Sequence, residues 1–548
     1  MKIIIVGGVA GGATTATRLR RLDENAEIIL LEKGEDISFA NCGLPYYIGE
    51  VIEKREKLLV QTPEKFNKRF HIDVRTCNEA IEIQKKEKIV KIRNHKTNEI
   101  YEESYDKLVL SPGAVPIVPP IEIEGKEKVF TLRNVQDTDR IKNYIETYQP
   151  KSVTIIGGGY IGVEMAENLV HAGREVNLIE KGNQVIAPLD QDMANFVEQT
   201  LKKNSVTLLL EKEVIAIKQQ EEKLEIVMET ETLQTDMVIF AIGVRPESKL
   251  AKQAGLLTGK RGCILVNEKL ETSDPNIYAL GDAIQIKNYV TGKEDYIPLA
   301  GPANRQARIV AGNIMGDNLI YKGTQGSSVL KIFNKTVAMT GINEKTAQRE
   351  NIPYETVIIT PYSHATYYPG AQPLTIKAIF HKKTGQILGA QLIGTEGVDK
   401  RADVIATCIR ANMNCYDLSD LELCYAPPYS SAKDPVNILG NVMENILENR
   451  VEQISYQELQ KIKQDKTICI LDTRTVPEYE RSHIPEAIHI ELDHLRENLD
   501  QLDPNKTIIV YCHSGLRSYI AYRILKQNGF QVKNLIGGYT IYEINANF

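Results

Sequence analysis

"SVTIIGGGYIGVEMAENLVHAGREVNLIE", residues 152 to 180, carries the pattern on which the architecture turns. An apolar run suited to a buried strand enters a turn holding Gly157, Gly159 and Gly162. A proline-free stretch of helix formers follows, and a second apolar run closes on Glu180. In such a strand, glycine turn, helix, strand unit the glycines let the backbone approach a pyrophosphate. The helix N-terminus offers free N–H groups, and an acid about 20 residues on takes the ribose hydroxyls. An acid at position 180 repels a 2′-phosphate and so favours NADH over NADPH, with the adjacent Lys181 pulling the other way.

Working outward, the pattern already occurs at the start of the chain. "IIIV" (residues 3 to 6) runs into "GGVAGG", then into the helix-forming "ATTATRLRRL", and "IILLE" ends on Glu32, 20 residues after Gly12. Here Val9 stands where the second glycine of G-x-G-x-x-G would be. Either unit alone can be a glycine turn in an ordinary α/β layer with no ligand. Two units in one chain are a far more specific signal.

At 548 residues the chain is too long for one core, and at roughly 100 to 200 residues per domain it should hold three or four. Its 42% hydrophobic and 25% charged residues are ordinary for a globular protein, and a formal net charge of -6 gives no electrostatic case for nucleic acid. "MKIIIVGG" reads at once as a buried strand, leaving no room for a signal peptide, and no run approaches the roughly 18 apolar residues of a membrane helix. A cytoplasmic location is therefore expected. Eight cysteines are sparse for this length and should stay as thiols there, so those that matter act chemically.

"TSDPNIYALGDA" (residues 272 to 283) reads as a turn, a strand and an aspartate at the strand end. With it the sequence resembles the two-dinucleotide flavoprotein disulfide reductases, in which such an aspartate, here Asp282, holds the flavin's ribityl chain. "YDKLVLSPGA" (105 to 114) and "DMVIFAIGVRP" (236 to 246) resemble that family's connecting strands. The resemblance implies FAD on the first unit, NADH on the second and a C-terminal dimerisation domain. The cofactor contacts it implies are Gly7, Gly8, Ala10, Gly11, Gly12, Glu32, Lys33, Asn41, Gly113, Gly157, Gly159, Tyr160, Ile161, Gly162, Glu180, Gly243, Gly281, Asp282 and Ala300.

"SFANCGLPYY" (38 to 47) holds one cysteine, Cys42, with none again until Cys77. Typical family members carry two, about five residues apart, so the second sulfur must come from elsewhere. Cys408, Cys415 and Cys424 lack the spacing of a redox or zinc pair and read as core or incidental. Either Cys42 forms a mixed disulfide with a substrate thiol, or it cycles through a sulfenic acid as in relatives that reduce peroxide or oxygen. Those relatives place an acid/base histidine in the first glycine turn, where this chain has Ala10. The string around Cys42 is most similar to the coenzyme A disulfide reductases.

Thr14, Arg18 and Arg21 fall at i, i+4 and i+7 on one helix face. They read either as a solvated charged face or as phosphate contacts. The resemblance implies the latter, with Ser38, Asn41, Asn304 and Lys433 completing the coenzyme A site. "SHATYYPGA" (363 to 371) and "LCYAPPYSSAKDP" (423 to 435) resemble segments that bring two tyrosines from the neighbouring subunit to the active-site sulfur. Tyr425 and Tyr367 take those roles, with Tyr368 the neighbouring candidate. Tyrosines packing a dimer interface are the plainer reading.

Past residue 448 the pattern changes to short alternating elements. The strand "TIIVY" delivers Cys512 into "CHSGLR", followed by a helix, so backbone N–H groups surround a sulfur able to be a thiolate or persulfide anion. The tail resembles a rhodanese domain, where that cysteine carries sulfane sulfur. "LDTR" and "SHIPEA" match it at two further segments, while the somewhat longer loops of cysteine phosphatases are the alternative. Asp472, Arg474 and His483 are then structural, Arg517 helps hold the anion, and His489 and His494 are surface residues. No metal site is expected.

The expectation is an α/β chain. Two Rossmann-like domains cover 1–148 with 263–322 (FAD) and 149–262 (NADH), followed by an α+β dimerisation domain at 323–448 and an α/β rhodanese domain at 449–548. The expected function is a homodimeric, NADH-dependent reductase of coenzyme A persulfide or disulfide. An NADH oxidase and a non-enzymatic redox or sulfur sensor are the alternatives.

Overall fold

A computed structural model describes residues 1–546. The chain divides into two compact units, residues 1–185 with 205–326, and residues 186–204 with 327–548.

The first unit contains two five-stranded parallel sheets of the same design. One runs in the order Ile277–Ala279, Lys107–Leu110, Lys2–Val6, Glu27–Glu32, Asp73–Thr76, and the other Val129–Thr131, Met237–Phe240, Ser152–Ile156, Glu175–Ile179, Val206–Leu209. Each quoted unit pairs its strands in parallel through a right-sized helical crossover, Val6 opposite Leu31 and Ile156 opposite Ile179. The central strands Ile3 to Ile5 and Val153 to Ile156 are buried and nearly all apolar, as strands covered on both faces must be. The register carries both strand ends, and the glycine turns after them, to the C-terminal edge of each sheet, where open α/β sheets take their ligands.

The second unit is built on an antiparallel sheet, Ser328–Ile332, Lys335–Gly341, Ile387–Gly394, Leu374–His381, Tyr354–Ile359, with helices Val398–Arg410 and Pro435–Leu447. A further five-stranded parallel sheet follows, in the order Gln453–Ile454, Gln531–Leu535, Thr507–Tyr511, Ile468–Asp472, Ile488–His489. Helix Gln191–Lys203 packs in this unit. Its Asp192 bonds Lys377 at 2.7 Å, and its Asn195 bonds Asn545 at 3.0 Å. Ile358, Ile536, Ile541 and Ile544 form one apolar cluster with Phe196, so the last helix is joined to the antiparallel sheet by buried surface.

Candidate active site

In both glycine turns the acid at the end of the second strand holds the turn. Glu32 accepts from Gly8 N–H and Gly34 N–H at 2.8 Å each, and Glu180 accepts from Gly158 N–H and Gly182 N–H at 2.7 Å each. Gly7 and Gly157 lie at φ +102° and +113°, where a side chain is strained. A Cβ on Gly12 or Gly162 would stand 1.8 or 1.9 Å from the carbonyl oxygen of Gly7 or Gly157, so helix and strand approach closely only without one. A Cβ on Gly159 meets nothing nearer than 4.0 Å, which leaves open space above the helix N-terminus for a pyrophosphate. The residues present therefore fit a dinucleotide at each turn.

The remaining cofactor candidates gather at these edges. Ala10 opens helix Ala10–Leu22, Tyr160 and Ile161 open Tyr160–His171, and Ala300 opens Ala300–Ile314. Gly11 packs against Leu280 and Ser111, Gly281 donates to Gln306 at 2.8 Å, and Gly113 and Gly243 take positive φ. Burial holds the Asp282 carboxyl above its ordinary range, with Arg133 opposing. Lys33 is exposed, and Lys181 pairs with Glu213 at 2.7 Å.

Cys42 lies in the 3₁₀ turn Asn41–Gly43, directly before the short helix Leu44–Ile48. Its side chain reaches solvent, yet burial pushes the thiol up, and the carboxylates of Glu164 and Asp282 add to the shift. Glu164, raised to about 7 by burial, accepts a 3.4 Å bond from Tyr46, whose hydroxyl is itself pushed up to about 12 by burial and by that carboxylate. Asn41 faces Arg133, with 2.9 and 3.2 Å contacts once its amide is oriented to satisfy both partners. Ser38 takes a positive φ.

Thr14 bonds Asn304 at 2.7 Å, Arg18 is half-buried and Arg21 exposed, so four of the expected substrate residues share one face. Arg20, between them in sequence, is buried and spends its guanidinium on four backbone carbonyls, which makes it structural.

The tyrosine segments meet. Tyr367 and Tyr425 hydroxyls are 2.6 Å apart, both side chains are exposed, and that bond is the main cause raising Tyr367 above the ordinary phenol range. Tyr368 instead packs edge-on against His364. Arg401, 1% exposed, fixes the arrangement. It donates to Ser363 O at 2.9 Å in one segment and to Asp434 at 2.9 Å and Ser430 at 3.3 Å in the other. A cavity of about 510 Å³ lined by His364, Lys400, Arg401, Cys424, Tyr425 and Tyr429 opens beside Tyr425. Lys433 is exposed, and Cys424 is exposed and not core.

Cys512 is 1% exposed at the end of strand Thr507–Tyr511, and its sulfur accepts from Gly515 N–H at 3.1 Å. Arg517 lies against that sulfur and forks Glu478 at 2.6 and 2.7 Å. Arg474 is buried against Asp472, with bonds of 2.7 to 3.1 Å. His483 stacks on Tyr479. His489 departs from the surface reading: it is half-buried, stacks on the same ring and bonds Arg474 O at 2.7 Å, because the alternation of the short strand Ile488–His489 turns Ile488 outward and the imidazole inward. Among the described residues no group of three or more His, Cys, Asp or Glu is placed to hold a metal, and no helix is long and apolar enough to cross a membrane.

Sequence reading missed Tyr46, Glu164, Arg133, Arg401 and Glu478. Glu164 carried one weak signal, an acid four residues after Tyr160 set between Val163 and Met165 in the apolar first half of its helix.

Comparison with known proteins gives the family. Residues 1–307 match the pyridine nucleotide-disulphide oxidoreductase family, 328–435 its dimerisation domain and 455–544 a rhodanese-like domain. A coenzyme A disulfide reductase of Staphylococcus aureus (strain bovine RF122 / ET3-1) is 40% identical over 441 residues, covering 80% of this chain and 99% of that protein. Reduced CoADR-RHD of Bacillus anthracis is similar at TM-score 0.97 and 52% identity, over 99% of this chain and 98% of that one. A NAD-dependent persulfide reductase from A. fulgidus is similar at TM-score 0.93 and 37% identity, over 99% and 100%. By a match that spans more than half its length, the chain belongs to the pyridine nucleotide-disulphide oxidoreductase family and carries a rhodanese-like domain at its C-terminal end.

Proposed function

We propose that the protein reduces coenzyme A persulfide, and coenzyme A disulfide, with NADH through the single thiol of Cys42. The observation that carries this reading is a lone, solvent-reaching cysteine at the edge of a dinucleotide-binding sheet, with all eight cysteines unpaired. FAD, when bound, relays the electron pair of NADH. The Cys42 thiolate attacks the inner sulfur of the persulfide, forming Cys42–S–S–CoA and releasing HS⁻. Two electrons and one proton then return the Cys42 thiolate and free coenzyme A. The sum is CoA–SSH + NADH → CoA–SH + HS⁻ + NAD⁺. Thr14, Arg18, Arg21, Ser38, Asn41, Asn304 and Lys433 are the proposed coenzyme A contacts. The hydroxyl pair of Tyr367 and Tyr425, offered by a second copy of the chain, donates to the departing thiolate. Cys512, with Arg517, is the proposed sulfane-sulfur carrier.

A homodimer is supported by the dimerisation-domain match, and a cytoplasmic location by the set of unpaired thiols. The oxidase alternative is disfavoured by Ala10 at the helix start where an acid/base histidine would stand.

Cys42→Ser separates the readings. The variant should keep its FAD and its bleaching by NADH yet lose at least about a hundredfold in persulfide and disulfide turnover. Undiminished turnover on both substrates would overturn the single-thiol mechanism. A wild-type rate with oxygen exceeding that with either sulfur substrate would favour the oxidase.

A further inference from the structure

We infer that Glu478 sets the donor specificity of the Cys512 loop, directing it to organic persulfides and away from thiosulfate. The inference rests on the proposed sulfur-carrying role of Cys512.

A donor such as thiosulfate brings a dianionic sulfonate next to the sulfur it transfers, and its recognition needs an unmatched cation. The guanidinium nearest Cys512 is already matched. Arg517 gives both terminal nitrogens to Glu478, and Glu478 also accepts from Thr475 N–H at 3.0 Å and Thr475 Oγ1 at 2.8 Å. Those four bonds hold the carboxylate in place, and Arg517 foremost keeps it far below the ordinary range, at about 2, so it stays ionised. Arg474 is likewise matched, by buried Asp472. Burial pushes His513 down, so it is neutral at physiological pH, and Glu543 adds a negative charge on its side. With Arg517 and Arg474 offset by Glu478 and Asp472, the loop presents backbone N–H groups and no free positive charge. Such a site accommodates one anionic sulfur and repels a second concentrated negative charge behind it.

The rim is also apolar. Leu516, inside the loop, is 71% exposed, and Ile520, one turn on, is 39% exposed. An uncharged aliphatic arm next to the reacting sulfur, as in pantetheine, suits that rim. The transfer is RSS⁻ + Cys512–S⁻ → RS⁻ + Cys512–SS⁻. With thiosulfate the leaving group is sulfite, which must depart past Glu478.

The test is single-turnover persulfidation of Cys512 in the full-length FAD-bound protein, read by mass spectrometry as the gain of one sulfur atom. Coenzyme A persulfide and thiosulfate are the donors. Wild type should react at least about a hundredfold faster with the persulfide, a margin within reach of like-charge repulsion. Glu478→Gln should raise the thiosulfate rate about tenfold and change the persulfide rate less than about threefold, the size of one charged contact. Leu516→Lys, at an exposed position that leaves packing intact, should also raise the thiosulfate rate several-fold, and covers the case in which Glu478→Gln perturbs the loop. Equal wild-type rates with the two donors, or no gain in thiosulfate rate in either variant, would overturn the inference. Failure of both donors on wild type would remove the carrier role itself, leaving the Cys42 chemistry untouched.

Discussion

Cys42 shows how a nucleophile's surroundings differ from what its sequence suggests. "SFANCGLPYY" offers no charge near the thiol, but the folded chain puts Glu164 and Asp282 close enough to favour its protonated form, on top of burial. Glu164, raised to about 7, is partly protonated at neutral pH and ionises above it. Its carboxylate then opposes ionisation of Cys42, since like charge disfavours the charged form. In the FAD-bound enzyme, Glu164→Gln should therefore increase Cys42 alkylation by iodoacetamide at pH 8 about two- to fivefold, and shift the rate profile to lower pH. An unchanged profile would mean that burial and Asp282 control the thiol without Glu164. The spacing of Tyr46 and Glu164, 118 residues, explains why no local pattern announced the pair.

At the scale of elements, buried charge joins segments far apart in the chain. Lys377, 2% exposed on strand Leu374–His381, meets Asp192 at 2.7 Å, Glu344 at 2.5 Å and Asp190 at 3.3 Å. Burial opposes its charge, but the three carboxylates more than offset that, and the ammonium is held above the ordinary lysine range. Helix Gln191–Lys203, read from sequence as part of a dinucleotide domain, is thus fastened to the antiparallel sheet. Lys377→Met would leave three carboxylates without their cation, and should lower unfolding free energy by about 3 to 5 kcal/mol in denaturant titration of the second unit's signal. A loss below about 1 kcal/mol would show that the carboxylates find water or protons instead. Arg401 acts in the same way on a smaller span, since its bonds to Ser363 and Asp434 set the two tyrosine segments side by side.

At the scale of the whole molecule, the proposed chemistry needs two copies of the chain, because Tyr367 and Tyr425 are to serve the Cys42 of a partner. Subunit mixing tests this. Cys42→Ser and Tyr425→Phe homodimers should each be impaired, the tyrosine variant by about 10²-fold or more, as expected for loss of a positioned proton donor. After unfolding and co-refolding of an equal mixture, each heterodimer holds one intact site, restoring about a quarter of wild-type activity when pairing is statistical. No recovery, with mixed dimers verified by mass, would place tyrosine and cysteine in the same subunit.

The two dinucleotide units, the lone thiol and the sulfur-carrying loop were legible because each is written in consecutive residues. Glycine spacing, strand-end acids and a cysteine between a strand and a helix act through neighbours in the chain, so Gly157 to Glu180 and Cys512 to Arg517 fold as they read. The tertiary structure alone decided which charges meet. Lys377 finds Asp192 across 185 positions, Arg401 finds Asp434 across 33, and Arg517 finds Glu478 across 39. Such pairings leave no periodic trace, because a single side chain at each end suffices once packing brings the elements together. At the sulfur sites the same holds: Glu164 and Asp282 act on Cys42 and the Arg517–Glu478 pair stands at Cys512, since a charge acts through space and its distance in the fold is independent of its distance in sequence.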